Sequence, residues 1–87
     1  SDAFLVFPGG MGTMDEMFEI LTWRQLGLHA KPIALLNING YYDHLLKFLD
    51  HAEASHLVKP QDRQLLFSSS NWDDIWKYFQ EKTHVKD

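Results

Sequence analysis

The chain has 87 residues, of which 45% are hydrophobic and 14% aromatic, and its net charge is -4. Such a length allows one small domain with a marginal core of its own, and such a composition excludes a disordered chain. The eight basic residues are dispersed and never adjacent, which argues against a nucleic-acid surface.

Other exclusions narrow the class further. With no cysteine there can be no disulfide and no thiolate zinc site, and the usage fits a reducing, cytoplasmic compartment. Apolar runs of about five residues fall far short of the roughly 20 needed to cross a bilayer, so no membrane association is expected. The chain starts at Ser1 and enters an apolar run almost at once, which reads as a piece of a longer protein.

In chain order, "AFLVF" (3–7) reads as a short buried parallel strand ended by Pro8. "TMDEMFEILTWRQLGLH" (13–29) predicts a helix, with Thr13 as N-cap and Glu16 three residues on as its capping-box partner. Met14, Met17, Phe18, Leu21 and Gln25 recur at helical spacing, Gly27 is a stop, and Pro32 prevents continuation. "PIALLNI" (32–38) predicts a second strand, and "NG" at 39–40 a turn that is not a hairpin. A helix follows over 41–54, with Tyr42, Leu45, Leu46, Leu49 and Ala52 on one face. A linker (55–64) with a short helical turn after Pro60 leads to a third strand (65–69). Ser70 or Asn71 then caps a last helix over 72–82, whose stripe is Trp72, Ile75, Trp76 and Phe79. In this pattern Tyr41 and Tyr42 pack at the sheet edge, and Trp72 and Trp76 are core residues.

Strand and helix alternate three times. That predicts an α/β fold with a parallel sheet and right-handed crossovers, about half of a doubly wound domain. The other half is expected N-terminal to Ser1, beside the first strand.

The stretch "FPGGMGTMDEM" (7–17) joins the carboxyl end of a strand to the start of a helix, where open α/β sheets bind ligands. Gly9, Gly10 and Gly12 remove side chains, so amides of the loop and first helical turn can reach an anion, with the Thr13 hydroxyl beside them. Phosphate is the natural guest. A plain glycine turn between strand and helix is the competing reading. The stretch has no lysine of an ATPase P-loop and lacks the third glycine of the dinucleotide fingerprint. Glu16 is either a helix cap or a chemical group, and Asp15 faces water near the helix start. His44, His51 and His56 lack a metal-ligand spacing, so no metal site is expected.

"PGGMGTMDE" (8–16) resembles the P-G-G-x-G-T-x-x-E motif of the "lonely guy" family of cytokinin-activating phosphoribohydrolases, often labelled lysine decarboxylases. "TWRQLGLHAKPIALLNINGYYDHLLKFLD" (22–50) is similar to that family throughout, and the likeness weakens after about Ser69. The resemblance implies that residues 1–87 are the C-terminal part of a single Rossmann-like nucleotide-binding domain. It implies hydrolysis of the N-glycosidic bond of a nucleoside 5'-monophosphate bearing an N6-modified adenine, with no cofactor. It places the 5'-phosphate on Gly9, Gly10, Gly12 and Thr13 and makes Glu16 the catalytic acid. It pairs Glu16 with an arginine upstream of the motif, for which Arg24 is not the counterpart. It also implies a homodimer through the 13–28 helix and a structural or interface role for His29; Trp23 and Gln25 read first as packing residues, which a dimer would place at the border of the pocket. A non-catalytic nucleotide- or phosphate-binding module with the same loop is the alternative. The decarboxylase label draws no support from the residues, because nothing marks Lys31 as a Schiff-base lysine for pyridoxal phosphate.

Overall fold

The computed structural model describes residues 2–84, the side chains through Lys82. Three strands alternate with helices: β1 (Phe4–Val6), α1 (Met11–Gln25), β2 (Ile33–Leu36), α2 (Asp43–Ala54), α3 (Pro60–Arg63), β3 (Leu66–Ser69) and α4 (Trp72–His84). The sheet is parallel throughout in the order β1-β2-β3, as the alternating pattern predicts. Phe4 stands opposite Ile33, and Ile33 opposite Leu66, so the even-numbered residues of β1 and β3 share a face with the odd-numbered residues of β2.

One face carries Val6, Ile33, Leu35 and Leu66, packed under Met17 of α1 and under Tyr42, Leu45, Leu46 and Leu49 at and in α2. The other face carries Ala34 and Phe67, and Phe67 stacks on Tyr78 of α4 with centroids 4.3 Å apart and planes 8° from parallel. β2 is therefore covered on both faces, and Ile33, Ala34 and Leu35 are fully buried. That accounts for its unbroken apolar run. β1 pairs with β2 along one edge, and no described strand pairs with its other edge.

Two expectations give way. Trp72 and Trp76 are not core residues: they are 47% and 51% exposed and lie against each other at 6.3 Å. The inward face of α4 is set by the fully buried Ile75 and by Tyr78, which turns the two indoles toward solvent. Tyr41 and Tyr42 are not simple edge packing either. Tyr42 is 3% exposed within the core, and both hydroxyls reach the loop after β1.

The helix ends obey local rules. α1 closes with Gly27 at φ +79°, where Gly27 N–H donates to Arg24 O and Leu28 N–H to Trp23 O, the paired bonds of a Schellman cap. α2 repeats that cap with His56 at φ +63° in the glycine position. Asn39 and Gly40, at φ +53° and +70°, form the expected turn between β2 and α2. α4 is capped by Asn71, whose Oδ1 accepts Asp73 N–H at 2.8 Å.

Candidate functional site

The glycine loop occupies residues 7–10, between the carboxyl end of β1 and the first turn of α1. α1 begins two residues earlier than the sequence suggests. Its N-cap is Gly10, its first backbone bond runs from Met14 N–H to Gly10 O at 3.1 Å, and no side chain caps it. The Thr13–Glu16 capping box is therefore not formed. Thr13 is the third helical residue rather than the cap, so its amide points out of the helix end instead of toward a Glu16 carboxylate. The N–H groups of Met11, Gly12 and Thr13 have no acceptor within the helix.

The three glycines of the motif differ, two in the loop and Gly12 in the first turn of α1. A β-carbon on Gly9 would run into Oγ1 and Cβ of Thr13, so that side chain lies directly over the Gly9 backbone. A β-carbon on Gly10 or Gly12 would meet nothing within 4 Å. Among the described residues, no distant side chain or backbone approaches either β-position. Glu16 is exposed and shares with Thr13 and the residues of β1 a shallow cavity of about 200 Å³ that also contains Met17 and Ile20. Thr13 and Glu16 are one helical turn apart, about 5 Å along the axis. A larger groove of about 380 Å³ lies among α1, α2 and α3, but it contains no residue of the loop and is lined mainly by Phe18, Leu21, Leu49, Leu57 and Leu65. Thr13 and Glu16 line the smaller cavity, whereas the polar lining of the larger groove includes His56, Lys59, Asp62 and Arg63.

Two tyrosines hold the loop in place. Tyr42 Oη donates to Phe7 O at 2.7 Å and Tyr41 Oη to Gly9 O at 2.6 Å. Burial pushes the Tyr42 hydroxyl up from its ordinary pKa of 10.0, opposed by the Gly9 backbone and reinforced by Tyr41. Asn37 accepts Tyr42 N–H at 2.7 Å, donates to Asp43 Oδ1 at 2.8 Å, and sends its own N–H to Ser69 O at 2.9 Å. The sequence offered one signal for this arrangement, an N-G turn followed by two tyrosines at a helix start. It did not say which carbonyls they would meet.

The residues of the following run divide clearly. His29 accepts Lys31 N–H on Nδ1 at 3.1 Å, so Nε2 carries the proton and donates to Ile20 O at 3.0 Å. That is a structural role. Arg24 donates to Lys31 O at 2.7 Å and is not brought to the loop. Lys31 Nζ lies 5.7 Å above the Phe4 ring. Gln25 donates to Asp62 at 3.0 Å and Trp23 is 48% exposed, so neither packs inside this chain.

Comparison with known proteins converges on one family. The family model described as possible lysine decarboxylase matches residues 1–79. Over 81 residues the chain is 43% identical to cytokinin riboside 5'-monophosphate phosphoribohydrolase LOG3 of Arabidopsis thaliana, covering 93% of this chain and 38% of that protein. Over 69 residues it is 52% identical to the probable cytokinin riboside 5'-monophosphate phosphoribohydrolase LOGL9 of Oryza sativa subsp. japonica, covering 79% of this chain and 30% of the relative. With LOG1 of Arabidopsis thaliana, of the same described activity, identity is 44% over 77 residues, 88% of this chain and 36% of the relative. The chain thus spans little more than a third of the curated relatives it matches.

Proposed function

This chain belongs to the family described as possible lysine decarboxylase, and on that premise we propose that the intact protein hydrolyses the N-glycosidic bond of an N6-modified adenosine 5'-monophosphate, releasing free base and ribose 5-phosphate. Its relatives are named as phosphoribohydrolases of cytokinin riboside 5'-monophosphates. The single observation that carries the reading is the uncapped start of α1, with open space at Gly10 and Gly12 and with Glu16 one turn on.

In this proposal the 5'-phosphate sits on the amides of Gly10, Met11, Gly12 and Thr13, beside Gly9, with the Thr13 hydroxyl as a further donor. Charge and oriented amides at a helix N-terminus favour an anion there. The ribose then extends along the first turn toward Glu16. Cleavage between the sugar and the base nitrogen builds positive charge on the sugar, and the Glu16 carboxylate stabilises that charge and orients the incoming water or the ribose hydroxyls. Holding the phosphate, remote from the broken bond, lets binding energy serve the reaction.

A portion N-terminal to this chain completes the pocket along the unpaired edge of β1 and supplies the arginine that the family resemblance pairs with Glu16. The intact protein is a cytoplasmic homodimer through the 13–28 segment, where Phe18, Trp23, Leu26 and Leu28 are 38%, 48%, 67% and 69% exposed. Light scattering of the intact protein should give twice the chain mass, and a folded monomer at micromolar concentration would defeat the dimer.

The function is tested by Glu16→Gln in the intact protein. Since Glu16 caps no helix, the change should leave melting temperature and phosphate affinity unaltered, while turnover falls on the order of 100-fold or more. Release of base is followed by chromatography. Unchanged turnover would move the catalytic role elsewhere, and nucleotide binding without any release of base by the wild type would leave a non-catalytic binding module.

A further inference from the structure

The loop after β1 is gripped by residues 32 and 35 positions further along the chain. Tyr41 and Tyr42 meet edge to face, with centroids 4.8 Å apart and planes at 79°. Their backbone is set by the left-handed Asn39 and Gly40, and a β-carbon on Gly40 would come within 2.7 Å of Asp43 Oδ2. Asn37 then ties the same turn to the end of β3 through Ser69 O. The carboxyl ends of all three strands are joined through this one turn.

The two hydroxyls do different work because they hold different peptides. Tyr42 holds Phe7 O, the carbonyl of the Phe7–Pro8 peptide, which has no N–H to aim. It anchors the root of the loop. Tyr41 holds Gly9 O, the carbonyl of the Gly9–Gly10 peptide. That peptide is planar and trans, so its carbonyl and its N–H point in opposite directions. Fixing Gly9 O therefore fixes where Gly10 N–H points. Two successive glycines have little stiffness of their own to do this.

We propose that Tyr41 is a positioning residue for phosphate binding: its hydroxyl, by holding Gly9 O, aims Gly10 N–H at the anion, with Tyr42 anchoring the loop behind it. This rests on the reading that the loop holds a 5'-phosphate.

The experiment is Tyr41→Phe in the intact protein, which keeps the half-exposed ring and removes only the hydroxyl. Inorganic phosphate binding is measured by calorimetry, and KM and kcat are measured on the N6-modified adenosine 5'-monophosphate. The expected result is a five- to tenfold rise, roughly the worth of one well-aimed hydrogen bond, in both the phosphate Kd and the KM. kcat should stay within about twofold, because Glu16 and the reacting bond lie a helical turn away. Affinity for adenosine, which has no phosphate, should not change, nor should the melting temperature. A merely structural tyrosine would lower the melting temperature or weaken both ligands alike. Unchanged phosphate Kd and KM, or equal weakening of adenosine and its monophosphate, overturns the proposal. Wild-type protein that binds phosphate but releases no base defeats the hydrolytic function and leaves the Tyr41 proposal to stand or fall on the calorimetry. Wild-type protein that binds no phosphate overturns both.

Discussion

Gly9 and Gly12 are glycines for different reasons, and single substitutions should separate them. Gly9 has no room, because Thr13 lies over it. Gly9→Ala should cost about 1–3 kcal/mol of stability through overpacking and should disturb the loop as well. Gly12 lies inside α1 with open space at its β-position. Gly12→Ala should leave stability unchanged or raise it by up to about 1 kcal/mol, since alanine is the better helix former. It should nevertheless weaken phosphate binding, because in the proposed site the added methyl would stand where the anion approaches. Denaturant melts and calorimetry on the intact protein would check the pair. A Gly12→Ala protein with undiminished phosphate affinity would place the anion elsewhere.

At the scale of elements, the two Schellman caps offer an internal comparison. α1 meets the left-handed position with Gly27, and α2 meets it with His56. An L-residue held there carries a steric penalty that glycine lacks, only partly offset by the extra freedom glycine has when unfolded. His56→Gly should therefore stabilise the protein by about 0.5–1 kcal/mol. His56 makes no contact with the glycine loop, so activity should not follow. Thermal melts of the two proteins would show it, and a lowered melting temperature would mean that the imidazole contributes packing that outweighs its backbone penalty. His29 stands just past the end of α1, on the same face of the sheet, against the Phe4 ring. It ties the end of α1 to the approach to β2 with both ring nitrogens engaged.

For the molecule as a whole, the tyrosines link stability to alkaline pH. Burial raises Tyr42, and burial also raises Tyr78, there opposed by the Arg24 charge, both from an ordinary value of 10.0. A raised folded-state pKa means that the folded protein prefers the neutral phenol more than the unfolded chain does. That contribution is complete below about pH 10 and is lost as pH rises through the folded-state values. Melting temperature should be flat on the neutral side and fall above about pH 10. Tyr42→Phe and Tyr78→Phe together should flatten that alkaline fall. An equally steep fall in the double variant would assign it to other groups.

The sequence alone determined the order of elements, the parallel sheet and the place of the glycine loop. Each of these rests on short-range patterns: an unbroken apolar run for β2, helical spacing for α2, an N-G turn, and Gly27 as a stop. Its nine-residue motif also identified the family, which the family model and the curated relatives show independently. Tertiary structure decided what local pattern left open. Thr13 and Glu16 have the spacing of a capping box, yet the helix starts at Met11 and that pairing never forms. Trp72 and Trp76 fall on an apolar stripe, yet Ile75 and Tyr78 take the face against the sheet. Tyr41 and Tyr42 read as edge packing, and only the closing of the sheet brings their hydroxyls to Gly9 and Phe7. Spacing along the chain records which residues can share a face. Which partner a polar group meets depends on segments more than thirty residues apart, and only the packed sheet brings those together.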